Sequence, residues 1–523
     1  MRGPALSTLI LLPVLAGCFG ADPGTDGRAA VEVYSNGLIW TADAANPAAE
    51  AFAVSNGTIL FVGTSAEARS RYPAANETDL AGRRVLPGLI DSHTHFLRVA
   101  TNWDCDFSKN PFDPTFDNSN LAAIEYEQSR FQRGTSHQQT NLSGSTPAHG
   151  TTSFADKAVA LRGIPCGMKE LNAMGLTMTI EAGMLNWAYF DVLGELEGAG
   201  KVTVRQSLYI GPSTFDEARR RGATTDYGSD LVRVAGTKYY SDGWLGPRTA
   251  ALLAPYTDRP WTRGVLFLEQ SEADKDVMVA KQMGLKIGTH TIGDQGVAVI
   301  LAAYQKAGLG ASDRPAFEHA SVIPSRLHAG LKDMGAILSF QLSFATTDQT
   351  FAESALGKDR LPSVYAWKTL TDKGIILAGG SDFPIETISP FWGLQRVITR
   401  QELNGNPAGG WQPHEKLSVE EALITLTRNA AYNVYMEDRV GTLEPGKLAD
   451  FIVLDQDILK VPTNQIAKTC VLETYVSGSR VYSEASDKLC SRIKFNGALP
   501  SRDRNVLEGI EAMMRTDGPL LIT

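Results

Sequence analysis

Two histidines two positions apart, His93 and His95, are suited by type and spacing to hold a metal ion. They end an apolar run that follows the Pro87-Gly88 turn. Successive side chains of a β-strand alternate between faces, so both imidazoles would project from one face together with Asp91. Two imidazoles at one strand end can ligate a cation. A strand with one polar face has the same pattern, so a metal site requires further ligands elsewhere.

The elements that would supply those ligands are strands of a predicted parallel sheet. From residue 86 to 440, apolar strand-like runs alternate with amphipathic helical patterns, including a helix opened at Ser271 and one opened by a capping box at Ser418. The predicted strands are 89–95, 176–181, 202–210, 231–240, 285–290, 315–319, 336–341 and 375–382. Eight parallel strands predict an α/β fold with a (β/α)8 TIM barrel, whose active site lies at the C-terminal strand ends.

Metal-competent side chains recur at these strand ends. Four of the 8 histidines are among them, and the full set is His93, His95, Lys238, His290, His319 and Asp382. A lysine ammonium cannot ligate a cation, but a buried lysine that loses its proton can react with carbon dioxide to give an anionic carbamate. Lys238 could then bridge two divalent cations. The alternative is that Lys238 pairs with a neighbouring carboxylate such as Asp242.

Short strand-like runs lie on both sides of the barrel. They occur within residues 31–85 and return within 441–485, after a Pro-Gly turn at residues 445 and 446. The two segments are predicted to form one small β-sandwich, the first part as an antiparallel sheet. Residues 486–523 are predicted to be a tail with a short packing helix at 505–515.

The first residues have the pattern of an export signal. Arg2 precedes an apolar run at 6–16, and Leu15-Ala16-Gly17-Cys18 is similar to a bacterial lipobox. The sequence thus predicts a lipoprotein signal peptide at 1–17, lipidation of Cys18 and a flexible tether at 18–30. The protein would be exported to the periplasm or cell surface and contact the membrane only through its anchor. A plain secretory signal with an incidental cysteine is the alternative.

The other four cysteines fit an oxidising compartment. Two disulfides are possible among three pairings, and Cys105–Cys166 with Cys470–Cys490 is favoured because these pairs close the shorter loops. A net charge of −9 without a basic run makes nucleic acid an unsuitable partner. A polar segment at 102–150 should lie over the barrel mouth, and its His149 is predicted to line the pocket rather than to bind metal.

Several motifs together resemble those of a known family. They begin at Leu86, Lys238, His290, Phe317, Gly380 and Gly446, and include Pro-Gly-Leu-Ile-Asp-Ser-His-Thr-His, Phe-Glu-His and Gly-Ser-Asp-Phe-Pro. In these stretches the chain resembles the amidohydrolase superfamily, in the branch that includes the N-substituted formamide deformylases. The resemblance runs from about residue 31 to 482. It implies a barrel beside a sandwich made from both termini, and it assigns the six ligands above, with Lys238 carboxylated.

The resemblance also implies a reaction. Two divalent metal ions, zinc by default, would share a bridging hydroxide that attacks a carbonyl carbon, with Asp382 as ligand, base and acid. We expect hydrolysis of a non-peptide amide C–N bond in an N-acyl or N-formyl amine, an amino-acid amide or a cyclic amide. The alternatives are an ester, lactone or carbamate substrate at the same centre, or a binding lipoprotein without turnover. The partner is a small molecule, and a homo-oligomer remains open.

Two departures from the branch affect the substrate side. The insertion after the first strand is short, and the seventh strand reads Ser339-Phe-Gln-Leu-Ser-Phe without the proline and histidine that usually follow the glutamine. Residues predicted to contact substrate or to support the ligands are Asp91, Asp242, Arg248, Asp294, His149 and Gln341. For Asp242, Arg248 and Asp294 a purely structural ion pair is the alternative.

Overall fold

The computed structural model describes residues 30–106, 109–113, 156–184 and 186–488. The predicted signal peptide, Cys18 and nearly all of the tether lie outside these residues, as do His149, Cys490 and the predicted helix at 505–515. Within the described residues, no helix combines the length and the apolar character that crossing a membrane requires.

The strands fall into three sheets. In chain order they are β1 Glu32–Ser35, β2 Leu38–Trp40, β3 Ala48–Ala49, β4 Ala51–Ser55, β5 Thr58–Gly63, β6 Asn76–Asp79, β7 Arg84–Pro87, β8 Leu89–Thr94, β9 Leu176–Met184, β10 Arg205–Ile210, β11 Val232–Tyr240, β12 Ile287–Thr291, β13 Ala316–His319, β14 Ile337–Gln341, β15 Ile376–Gly380, β16 Phe451–Leu454, β17 Val471–Val476 and β18 Ser479–Ser483.

Strands β8 to β15 form a closed parallel barrel. Each pairs in parallel with the next, in sequence order. The barrel closes where the Asp382 backbone N–H donates to the His93 carbonyl oxygen at 2.7 Å and Thr94 bridges to Phe383. The predicted α/β fold with eight parallel strands is therefore confirmed. The eighth strand ends at Gly380, earlier than predicted, because Asp382 has a φ of 58° and leaves the extended conformation.

Helices follow most barrel strands. The α-helices are α1 Ser65–Arg71, α2 Phe96–Ala100, α3 Lys157–Ala173, α4 Ala188–Gly198, α5 Phe215–Arg221, α6 Gln270–Gln282, α7 Asp294–Lys306, α8 Ser325–Met334, α9 Phe344–Thr347, α10 Gln349–Leu356, α11 Trp367–Asp372, α12 Pro390–Thr399, α13 Val419–Thr425, α14 Arg428–Asn433 and α15 Glu484–Asp487. Short 3-10 turns lie at Pro212–Thr214, Ala311–Asp313, Lys358–Ser363, Pro413–Glu415 and Thr463–Lys468.

The helix starts were predicted with mixed success. Ser418 caps α13 through a capping box with Glu421, as expected. Ser271, however, lies inside α6, because Glu269 is the N-cap residue and forms a capping box with Glu272. The apolar pattern after Ser418 also covers two helices rather than one, since the backbone at Thr427 is not helical.

The two terminal segments together build a β-sandwich. One sheet has the order β5-β4-β1-β6, and the other has β18-β17-β16-β7-β2-β3 and so mixes both segments. Aromatic rings fill the space between them, with Tyr34 and Phe52 of the first sheet 4.9 and 4.8 Å from Phe451 of the second. The expectation of one antiparallel N-terminal sheet was wrong, since β2 leaves it and β1–β6 and β2–β7 pair in parallel.

A buried ion pair joins the sandwich to the barrel. The guanidinium of Arg205, at the start of β10, donates to both Asp450 carboxylate oxygens at 2.7 and 2.9 Å, and both side chains are 2% exposed. Arg205 also donates to Ser477 after β17 at 2.7 Å. Because Arg205 begins its strand, the sandwich is held near the N-terminal end of the barrel, which leaves the C-terminal rim to the candidate site.

One predicted disulfide is present and the second is partly described. Cys105, after α2, is bonded to Cys166 in the middle of α3, with 6.0 Å between the Cα atoms. Cys470 is also disulfide-bonded, while its predicted partner Cys490 lies outside the described residues. The first bridge fixes the chain just after the His-x-His strand to a barrel helix. A Cβ at Gly163 would come within 2.0 Å of the Ala100 carbonyl oxygen, so the close approach of α3 requires glycine there.

Candidate metal centre

Three side chains that can bind a metal ion meet at the C-terminal rim of the barrel. Ligand atoms of His93, His95 and Asp382 lie within 4.8 Å of one another, and all three residues are buried. The Asp382 Oδ1 atom is 3.4 Å from Nε2 of His93 and 3.4 Å from Nε2 of His95. The first and last barrel strands bring these groups together, because β8 ends at the histidines and the closing bridge holds Asp382 beside them.

The other predicted ligands surround this triad. The Lys238 amine lies 3.5 Å from Nε2 of His93. The His319 ring centroid is 4.7 Å from that of His93, and the His290 centroid is 4.4 Å from that of His319. All six predicted ligands are thus brought to one region of the barrel. Imidazole nitrogens, a carboxylate and an amine that can be carboxylated form a donor set that suits Zn²⁺, Mn²⁺, Co²⁺ or Fe²⁺.

The carboxyl group of Asp382 is held in its ionised form. Burial by itself raises the pKa of this group, but the charge and hydrogen bonds of His93 and His95 outweigh the burial and hold the pKa well below its ordinary value. The His319 Nδ1 atom adds a further contact at 3.8 Å from Oδ2. An ionised aspartate between three imidazoles is able both to bind a cation and to accept a proton.

A buried glutamate that was not among the predicted site residues orients His93. The Oε2 atom of Glu318 lies 2.6 Å from Nδ1 of His93, and both residues are fully buried. Burial alone raises the pKa of Glu318, but the charges of His93, Lys238 and Lys286 lower it to about 2. The carboxylate therefore accepts the Nδ1–H bond and leaves Nε2 of His93 directed towards Asp382.

Backbone geometry explains why sequence reasoning passed over Glu318. Neighbouring strand residues normally point to opposite faces, so Glu318 and His319 should not share a site. Glu318 pairs in register with His290 and faces the barrel interior with it. His319 has a φ of 71°, which breaks the alternation and turns its imidazole inward as well. The signal in the sequence was the Phe-Glu-His motif, which was quoted for its histidine alone.

Gln341 at the end of β14 supports His319. Its Oε1 atom lies 2.8 Å from Nδ1 of His319, so the imidazole donates from Nδ1 and keeps Nε2 as an acceptor. Burial lowers the pKa of His319 to about 3. The neutral ring is the form that binds metals. The Phe344 ring is stacked on the His319 ring, with 4° between the ring planes and 6.0 Å between the centroids.

Asp91 and Asp242 organise the backbone around the ligands. Asp91 accepts hydrogen bonds from the backbone of His93 and from both the backbone and hydroxyl of Ser381, which links β8 to the end of β15. Asp242 accepts from the backbone N–H groups of Ala251, Ile292 and Gly293, beside His290. Burial raises the pKa of Asp91 to about 6 and that of Asp242 to about 7.

The hydrogen bonds and ion pairs of Arg248 and Asp294 involve the surrounding loops rather than the ligands. Arg248 forms an ion pair with Asp258 and donates to the Gly246 carbonyl. Asp294 accepts from the Leu253 backbone at 3.0 Å and from Arg326 at 3.3 Å. Both residues thus fix the long connection between β11 and α6. For Arg248 and Asp294 the structure therefore supports a role in structural ion pairs over contact with the substrate or the ligands.

Two further polar residues near the ligands were not predicted. Oε1 of Glu181, within β9, lies 3.9 Å from Nδ1 of His95, and Oε2 accepts from the Leu97 backbone at 2.9 Å. Tyr240 ends β11 with its ring 5.7 Å from the His290 ring and 4.8 Å from the Lys238 amine. The His290 Nε2–H donates to the Gly243 carbonyl at 2.9 Å, which assigns Nδ1 as the acceptor nitrogen.

Comparison with known proteins identifies the family and agrees with the barrel fold. A model described as the amidohydrolase family matches residues 148–482. The Bacillus subtilis protein YtcJ, named as an amidohydrolase, is 32% identical over 254 residues, which are 49% of this chain and 48% of that protein. An N-substituted formamide deformylase of Arthrobacter pascens is 24% identical over 85% of this chain and 96% of the relative.

A further relative and a solved structure extend the comparison. An imidazolonepropionase of Agrobacterium fabrum is 26% identical over 83% of this chain and 87% of the relative. A metal-dependent hydrolase from Pyrococcus furiosus superposes with a TM-score of 0.65 at 23% identity, over 82% of this chain and 100% of that chain. At this identity the solved structure supports the fold alone.

Proposed function

Because the chain belongs to the amidohydrolase family, whose model matches residues 148–482, we propose that it hydrolyses a non-peptide amide C–N bond in a small molecule. One observation carries the proposal: Oδ1 of the buried Asp382 lies 3.4 Å from Nε2 of both His93 and His95. The names of two relatives support the bond type, since one is a formamide deformylase and one an imidazolonepropionase. The substrate would be an N-acyl or N-formyl amine, an amino-acid amide or a cyclic amide.

The donor set fits two divalent cations. His93, His95, His290, His319 and Asp382 would hold them, together with Lys238 as a carbamate. When bound, such cations supply an activated water and polarise the carbonyl group of the substrate. Zinc is the first metal to test, because imidazole and carboxylate ligands suit it and the neutral form of His319 is already favoured by burial.

Asp382 is the group that moves the proton. Its ionised carboxylate accepts a proton from the attacking water at an Oδ atom, and the protonated form then donates that proton to the departing amine nitrogen. His93 and His95 lower the pKa of Asp382, which keeps the base form populated near neutral pH. Glu318 and Gln341 hold the imidazoles of His93 and His319 in fixed orientations, so little rearrangement is required when substrate binds.

A substrate screen tests the proposal. Purified protein is stripped of metal, reconstituted with Zn²⁺, Mn²⁺ or Co²⁺, and assayed with N-formyl and N-acyl amines, amino-acid amides, cyclic amides and matched esters. We expect amide hydrolysis that requires bound metal and is lost in Asp382→Asn. The matched control is Asp372→Asn, since the Asp372 side chain is exposed and forms an ion pair with Lys368 on the surface, away from the metal centre.

Each other outcome of the screen counts against the proposal. Turnover of esters, lactones or carbamates without amides would assign the same centre to a different acyl substrate. Failure to bind metal in stoichiometric amounts, with no turnover of any class, would leave a binding protein without catalysis.

A further inference from the structure

The carboxylate of Glu318 has one oxygen whose position the metal ligands do not explain. Oε2 contacts His93, while the buried Oε1 has no hydrogen-bond partner among the described residues. A buried carboxylate oxygen without a hydrogen bond is costly, so the surroundings must stabilise it in another way. Those surroundings lie deeper in the barrel, on the side away from the rim.

Lys286 and Tyr209 fill the barrel interior beneath Glu318. Lys286 lies immediately before β12, two residues before Gly288 and four before His290, so all three share the inward face of that strand. The Lys286 amine is 2.7 Å from the Tyr209 hydroxyl and 5.0 Å from the centre of its ring. Lys286 is 4% exposed and Tyr209 is 0% exposed.

Gly288 leaves a space that both Tyr209 and Glu318 border. A Cβ at Gly288 would lie 2.8 Å from Oε1 of Glu318 and 3.0 Å from the edge of the Tyr209 ring. Because the glycine has no side chain, the ring edge and the carboxylate oxygen both border the space it leaves. The Lys286–Tyr209 pair and the Glu318–His93 pair therefore lie on two sides of the same space.

We propose that Lys286 and Tyr209 are positioning residues for the metal centre: they hold Glu318 from below, and Glu318 holds the His93 imidazole for metal binding. The inference rests on the metal centre proposed above. Among the described residues, neither side chain forms a hydrogen bond, ion pair or ring contact with a predicted ligand, so both act through Glu318. Their role is to place an amine and a ring edge below Glu318, whose Oε1 has no hydrogen-bond partner among the described residues.

The cost of burying Lys286 supports this role. Burial lowers the pKa of Lys286 to about 7, and the charge of Glu318 opposes that shift. An apolar side chain would pack at this position without the desolvation cost, so stability alone does not account for a lysine.

Metal titration of matched variants tests the proposal. Lys286→Met removes the amine and keeps a side chain of similar length, and Tyr209→Phe removes only the hydroxyl. The control is Tyr304→Phe, which makes the same change on a buried tyrosine of α7 that bonds Thr289 at 2.7 Å from outside the barrel. Each metal-free protein is titrated with Co²⁺ by calorimetry, and the visible spectrum of the bound Co²⁺ is recorded.

The expected result separates positioning from general stability. The Co²⁺ dissociation constant should rise about tenfold to a hundredfold in Lys286→Met, the range typical for residues that support metal ligands, with a smaller rise in Tyr209→Phe. The cobalt spectrum should change in both. Tyr304→Phe should bind Co²⁺ as the wild type does, even if its thermal unfolding midpoint falls.

Other outcomes overturn the proposal in distinguishable ways. Folded variants that bind Co²⁺ with the affinity and spectrum of the wild type would refute the positioning role of Lys286 and Tyr209. The proposed metal centre itself would be unaffected by that result. If Lys286→Met does not fold, Tyr209→Phe decides, and the proposal fails if that variant matches Tyr304→Phe. Wild-type protein that binds no Co²⁺ would refute the metal centre and this inference together.

Discussion

The Nδ1 atom of His93 and the Oε2 atom of Glu318 lie 2.6 Å apart, although their strands, β8 and β13, are not neighbours in the barrel. The contact sets which nitrogen of His93 carries the proton. Nε2 then faces Asp382, 3.4 Å away. A carboxylate that fixes a ligand in this way affects the metal site almost as strongly as the ligand itself.

Glu318→Gln should weaken metal binding without unfolding the protein. Glutamine keeps the shape of the side chain but loses the charge that stabilises the oriented His93 imidazole. We expect the dissociation constant for Zn²⁺ to rise about tenfold to a hundredfold. Competition with a chelating dye measures it, and the exposed Glu353→Gln is the control. Wild-type affinity in Glu318→Gln would show that the 2.6 Å contact is dispensable.

Asp382→Asn should abolish most turnover while the protein stays folded. The amide cannot accept the proton that the carboxylate takes from water, and general acid–base groups contribute about 10²- to 10⁴-fold to rates. We therefore expect kcat to fall by at least about 10²-fold on the best amide found in the screen. Asp372→Asn, measured in parallel, should retain wild-type kcat. A reduction of less than about threefold in Asp382→Asn would assign the proton transfer to another group.

Replacing Cys105 and Cys166 by alanine should destabilise the protein. The bridge spans 61 residues of sequence, and a cross-link over a loop of that size typically stabilises by about 2–4 kcal/mol. Urea unfolding of the oxidised wild type and of the double variant measures the difference. Because Trp103 packs on Phe112 and Phe112 packs on Phe383, next to Asp382, catalytic activity should also fall at lower urea concentrations in the variant. Equal unfolding midpoints would contradict the prediction.

Lys286→Met should stabilise the metal-free protein, and the gain should depend on pH. Burial lowers the pKa of Lys286 from 10.5 to about 7. Between these values the unfolded chain keeps the Lys286 proton and the folded chain releases it. The loss of folding stability caused by Lys286 therefore grows as pH falls from 10.5 and reaches its full size below about 7. The shift corresponds to about 3–5 kcal/mol, reduced by about 1 kcal/mol for the lost Tyr209 bond.

Urea unfolding of wild type and Lys286→Met, both without metal, measures this gain at about pH 6.5 and about pH 9.5. The stability difference should be larger at the lower pH. A difference that grows with pH would mean that Lys286 is charged and well paired in the folded protein.

Periodicity and strand-end chemistry were sufficient to predict the barrel and its rim. His93, Lys238, His290 and Asp382 each stand at or just beyond the end of an apolar run, and parallel strands bring such ends together. The cysteine pair Cys105–Cys166 followed from loop length. These features depend on local sequence patterns and on one general rule of barrel topology, so they can be predicted from a single sequence.

Features that depend on non-local packing were not predictable in the same way. Glu318 and His319 share the site only because His319 adopts a positive φ, which turns its imidazole inward beside the inward-facing Glu318. Lys286 looks like an ordinary lysine beside a strand until the barrel closes around Tyr209. In the sandwich, the partner of β7 is β16, and no pattern near residue 85 identifies it.

The pairing of β7 with β16 has a consequence for how the protein is made. Arg84–Pro87 leaves the ribosome roughly 360 residues before Phe451–Leu454, its antiparallel partner. At about 5–20 residues per second, that interval lasts roughly 20 to 70 s. Throughout it the N-terminal strands of that sheet present an unpaired edge, a form of structure prone to association with other chains. The barrel between them can close first, so translation speed and chaperone access should influence the yield of native protein more than its final stability does.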